Sequence, residues 1–96
     1  MKVIVKEVHK QPEVREIKNE LSVLQELVGG YIEVVRVDDV LLICNEEGKL
    51  QGLQPNFSIG HDTIVGTAVF VGFDGSEDFT SLTDMQVLWV MDKFYS

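Results

Sequence analysis

The stretch YIEVVRVDDVLLICN, residues 31–45, decides the fold. Two runs rich in β-branched and aromatic residues, Tyr31–Val37 and Val40–Cys44, flank the pair Asp38-Asp39. Such runs favour extended backbone. Two intervening residues leave room only for a tight turn, and aspartate side chains bond neighbouring backbone N–H groups. The stretch predicts an antiparallel hairpin.

Upstream of the hairpin, Leu21, Leu24, Leu27 and Val28 recur at helical spacing. Gly29-Gly30 ends that short helix, one glycine taking the left-handed position beyond its last turn. Asn19 or Ser22 is the expected cap, and Ser22 with Gln25 has the spacing of a capping box. Met1–Glu7 reads as a strand at a sheet edge, where Lys2 and Lys6 resist stray pairing. Pro12 interrupts the chain after it, and Val14–Ile17 alternates as a short second strand.

Downstream, Asn45-Glu46-Glu47-Gly48-Lys49 reads as a turn, and Leu50–Asn56 as an irregular connection in which Pro55 excludes a central strand. TIVGTAVFVGF, residues 63–73, is the longest strand signal, with Gly66 and Gly72 marking bulges or close backbone approaches. DGSED, residues 74–78, is a polar turn. Ser81 as cap and Asp84 three residues on open a final helix, with Leu82, Met85, Leu88, Trp89 and Tyr95 on its apolar side. The fold class is α+β. One domain, residues 1–96, holds a small, mostly antiparallel sheet with two helices packed against one face.

A chain of 96 residues buries one modest core. A single cysteine, Cys44, rules out an intrachain disulfide and a cysteine-held metal cluster; within VLLIC it reads as a small buried hydrophobe. The chain lacks an apolar stretch of signal-peptide or membrane-spanning length, so a cytoplasmic location is expected and no membrane partner. The formal charge is −8, and no Lys or Arg occurs between Lys49 and Lys93. That gap argues against direct nucleic-acid binding, which needs cations against phosphates.

Catalytic and metal signatures are missing. His9 and His61 lie too far apart in sequence for a metal motif, Asp74, Glu77 and Asp78 lack the spacing of a calcium loop, and nothing in the sequence brings a histidine to Cys44. No catalytic residue, metal ligand or cofactor is assigned. The candidate ligand-binding residues are Tyr31, Asn45, Glu46, Lys49, Asn56 and His61. The two asparagine amides would read a planar polar ligand, because each both donates and accepts. Lys49 would supply charge and Tyr31 or Phe57 a stacking surface. A structural reading stands beside this one: Asn45 starts the turn, Gly48 completes it, and Asn56 caps the next.

VGGYIEVV at 28–35, ICNEEGKLQGLQPN at 43–56, IVGTAVFVG at 64–72 and FTSLTD at 79–84 together resemble the domain-of-unknown-function family numbered 3846, found in phages and Firmicutes. Asn45, Glu46, Gly48, Lys49 and Asn56 match its characteristic turn, and Val65-Gly66-Thr67 its strand entry. The resemblance implies an accessory role in phages or mobile elements, with no biochemical activity assigned. Two functions fit it. One is a non-catalytic protein whose acidic surface binds a basic host protein. The alternative is a small-ligand, nucleotide-like binding or sequestering protein using residues 45–56, with its site at the interface of a homodimer.

Overall fold

The computed structural model describes residues 1–95. Ten elements follow one another: β1 (Lys2–Lys6), β2 (Glu13–Glu16), α1 (Leu21–Val28), β3 (Ile32–Val37), β4 (Val40–Asn45), β5 (Pro55–Ile59), β6 (Asp62–Val65), β7 (Ala68–Phe73), β8 (Phe79–Thr80) and α2 (Asp84–Phe94). The Asp38-Asp39 turn forms as expected. Asp38 takes a left-handed φ of 57°, and β3 and β4 pair in unbroken register from Val37 with Val40 to Ile32 with Asn45.

All strand pairs are antiparallel, as the α+β reading requires. The main sheet runs β2-β1-β7-β4-β3, with β8 paired to the end of β7; β5 and β6 form a separate hairpin. β1 is therefore not at the edge but lies between β2 and β7. Its fully buried Val3, Ile4 and Val5 account for this, because consecutive residues point to opposite faces and both faces are covered. α1 covers one face, packing Leu24 and Val28 on Val3, Val5, Ile43, Val69 and Val71. α2 and the β5–β6 hairpin cover the other, over Ile4, Leu42, Ala68 and Phe70. The expectation that both helices share one face thus fails. A strand buried on both sides loses its alternation, and continuous apolar runs such as AVFV and LLIC are its signature.

The long strand expected over 63–73 is two strands. Gly66, at φ 74°, breaks it, so β6 joins the small hairpin and β7 enters the centre of the main sheet. Pro55 begins β5, which pairs with β6 alone among the described residues, in agreement with its exclusion from a central position.

The helix boundaries differ in detail from the sequence reading. α1 stops at Gly29, which adopts φ 82° and donates its N–H to the Gln25 carbonyl. Its N-cap is Glu20, without a side-chain cap, so neither Asn19 nor Ser22 serves. Asn19 Nδ2 instead donates to the Phe79 carbonyl at 2.8 Å. α2 does begin with a capping box, but two residues later than expected: Thr83 and Gln86 make it, with Asp84 in the first turn. Ser81 Oγ accepts from the Lys2 N–H and holds the approach to the helix against β1. The apolar side matches the expectation in part: Leu82 is buried and Trp89 packs on the core as expected, Val87, Val90, Met91 and Phe94 join them, and Met85, Leu88 and Tyr95 are exposed.

Candidate functional site

The segment after β4 folds on itself before reaching β5. Asn45 ends β4 with its side chain buried. Its Oδ1 accepts the Glu47 N–H at 2.8 Å, and its Nδ2 donates to the Val28 carbonyl at 3.2 Å and to Gln51 Oε1 at 3.3 Å. One amide thus starts the turn and satisfies a carbonyl at the end of α1, which has no partner within the helix. Gly48 is required at the crossing: a Cβ there would lie 2.8 Å from Val65 Cγ2. The turn closes with Gln51 N–H on the Glu47 carbonyl and Leu53 N–H on the Gly48 carbonyl.

Asn56 works at a different place. Its Nδ2 donates to the carbonyls of Lys6 and Gly66, each at 2.8 Å, and its Oδ1 accepts from Lys6 Nζ at 3.0 Å. It ties β5 to the end of β1 and to the β6–β7 junction. Lys6 is buried, which lowers its pKa, and its ammonium also reaches the Glu7 carbonyl at 3.0 Å. Both asparagines therefore spend their amides on the protein's own groups.

The remaining candidates separate. Asn45, Glu46 and Lys49 line a cavity of about 120 Å³ together with Glu33, Cys44 and Asp62. Tyr31, largely exposed, stands at a second cavity of about 250 Å³ with Gln25, Gly30, Glu47 and Gln51. His61 is exposed in the β5–β6 turn, beside Asp62 in sequence but outside the first cavity's lining. Asn56 lines neither cavity.

The electrostatics of the first cavity are acidic. Lys49 Nζ pairs with Asp62 Oδ1 at 2.9 Å, and that bond raises the lysine's pKa. Glu33 and Glu46 have no ion-pair partner among the described residues. Cys44 Sγ lies 3.9 Å from Glu33 Oε2. Burial first, then the negative charges of Glu33 and Asp62, push its thiol up to about 11. A thiolate is the reactive form, so this cysteine is held in its inert state. At neutral pH, iodoacetamide should label Cys44 about 100-fold more slowly than an unstructured thiol through protonation alone, with the rate climbing above pH 10. Labelling at the rate of free glutathione would contradict this burial beside Glu33.

Sequence reasoning missed Glu33 and Asp62. The first was accessible: a two-residue turn at Asp38-Asp39 sets Glu33 opposite Cys44 by register alone. Asp62 arrives through the packing of the β5–β6 hairpin, which leaves no local signal.

Fold and site together define a small α+β domain with an acidic cavity beside the outermost strand of its sheet. The chain belongs to the family described as Domain of unknown function (DUF3846), whose model matches residues 1–95. No curated protein and no solved structure matches it.

Proposed function

We propose that this protein is a non-catalytic accessory protein of phages and mobile elements that acts in the host cytoplasm by binding a basic surface of a host protein. The observation that carries this reading is the state of its charges. Of sixteen acidic residues, Glu7, Glu13, Glu16, Asp62 and Asp84 form ion pairs; the other eleven have none among the described residues, and all eleven are exposed. The bases are largely engaged already. Lys2, Lys10, Arg15 and Lys49 sit in those pairs, and Lys6 is buried on Asn56. The register of β4 with β7 brings the 74–78 turn toward the Asp38-Asp39 turn, so Asp38, Asp39, Asp74, Glu77 and Asp78 crowd one end of the sheet. A surface of one sign steers a partner of the other sign and speeds its encounter.

Titration with a lysine-rich peptide tests the reading. Affinity should fall by roughly tenfold or more between about 50 mM and about 500 mM salt, as exposed charges are screened. The triple variant Asp38→Lys, Asp39→Lys, Asp74→Lys should weaken binding at low salt. An affinity indifferent to both changes would sink the proposal.

The nucleotide-like ligand reading has one observation in its favour, the exposed Tyr31 beside its 250 Å³ cavity. Thermal-shift measurements against a nucleotide panel test it, and a flat response across the panel would remove that support.

A further inference from the structure

We infer that the outer edge of β3 is a docking site for an extended basic segment of a partner protein, which joins the sheet there as an added strand. This rests on the reading that the partner is basic, and it names both the surface used and the form of the partner.

β3 is the last strand of the main sheet, and its six residues pair with β4 without a bulge. Its backbone groups divide by position. The Glu46 N–H donates to the Tyr31 carbonyl at 2.8 Å, and Val37 faces Val40 across a two-residue turn. In an antiparallel ladder the bonded pairs alternate, so Tyr31, Glu33, Val35 and Val37 spend their N–H and C=O groups on β4. Ile32, Val34 and Arg36 point theirs away from the sheet. No hydrogen bond among the described residues satisfies those outward groups.

Folded proteins guard such edges with shortness, lysine, proline or bulges. The other edge, β2, is guarded. It has four residues, and Glu13, Arg15 and Glu16 are tied into ion pairs of 2.8 to 3.4 Å. β3 contains neither lysine nor proline. Its one base, Arg36, lies 4.7 Å over the Phe73 ring and donates to the Asp38 carbonyl, so its charge is held along its own turn.

Charge selects the occupant. The edge runs from Glu46-Glu47 at one end to Asp38-Asp39 at the other, with exposed Glu33 between. Glu33 would occupy a non-bonded position toward an added strand, where facing side chains come closest and an opposite charge stabilises the pair. A second copy of this chain fits poorly. About a two-fold axis centred on Val34 or Val35, Glu33 meets Val35 or Val37 and finds no cation, and both chains carry −8. A segment alternating Lys or Arg with apolar residues fits both faces. Its bases would lie on the side of Glu33 and the acidic cavity, and its apolar residues against Ile32 and the 43 % exposed Val34.

The test is amide exchange by NMR on the full chain, with a synthetic peptide of about eight residues alternating lysine and valine, and a glutamate–valine peptide as control. The lysine peptide should slow exchange at Ile32, Val34 and Arg36 by about tenfold or more, and the control should not. Val34→Pro removes an outward N–H at an edge position where proline is tolerated, and should weaken the lysine peptide about tenfold while the β3–β4 ladder persists. Should that variant fail to fold, protection in the wild-type chain still decides the matter. Equal binding to wild type and Val34→Pro, with no protection of the edge, overturns strand docking but leaves the charge-based reading standing. Protection of the edge without peptide, in a particle of dimer mass, overturns it in favour of a second copy. Absence of binding to either form overturns both readings.

Discussion

Phe70→Ala should cost about 3–5 kcal/mol of folding stability. Phe70 is fully buried at the centre of β7, the strand flanked by β1 and β4. Its ring meets Phe94 of α2 at a centroid distance of 4.8 Å and Phe57 of the small hairpin at 5.9 Å, and those two rings lie 5.0 Å apart. The three rings join sheet, helix and hairpin, so removing the central one opens a void that none of the three layers can close alone. Domains of this size hold about 5–15 kcal/mol in total. The loss therefore consumes a large fraction of it, and the thermal midpoint should drop by roughly 15 °C or more. Phe70→Leu, which keeps most of the volume, should lose well under half as much. Urea titration of both variants measures the difference. A loss below about 1 kcal/mol for Phe70→Ala would mean that the aromatic cluster does not join the layers.

What the sequence made legible was local. The Asp38-Asp39 hairpin, the helix stop at Gly29, the presence of a capping box at the last helix and the class of the fold all follow from turn chemistry and periodicity. The misreadings share one cause. β1 looked like an edge because lysines sit at both its ends, yet Lys2 reaches Asp84 and Lys6 is buried on Asn56, so neither guards an edge. The face of α2 was misjudged in part because its apolar residues circle the helix, and only the cap at Thr83 and the position of Phe57 and Phe70 select Val90 and Phe94 over Met85 and Leu88. Each of these choices is made by contacts far apart in the chain.

The same holds for the site. The 45–56 segment carries the resemblance's characteristic turn, and the fold explains its composition without a ligand: Asn45 and Asn56 are fixed by the backbone groups they satisfy, and Gly48 by its approach to the Val65 side chain. A residue can mark a family because the fold needs it there. What remains for function is the part the fold does not use up, namely the exposed carboxylates that have no ion-pair partner among the described residues and the outward groups of β3.

Gly66→Val should be the second most damaging single change, at about 3 kcal/mol. Gly66 turns the chain from the small hairpin into the main sheet at φ 74°, a region that a β-branched residue enters only under strain. Its Cβ would stand 2.7 Å from Leu53 Cδ1. Its N–H donates to the Gln54 carbonyl and its carbonyl accepts from Asn56, so the backbone cannot swing aside without breaking both bonds. Gly60 separates the two contributions. It also has positive φ, 58°, but a Cβ there meets nothing within 4 Å. Gly60→Ala should therefore show strain alone, about 1 kcal/mol. Gly66→Ala should exceed it modestly, because the tip of Leu53 can move, and Gly66→Val should exceed both. If Gly60→Val and Gly66→Val prove equally costly, the close packing of Leu53 and the two backbone bonds contribute nothing at the junction, and left-handed geometry alone sets the break between β6 and β7.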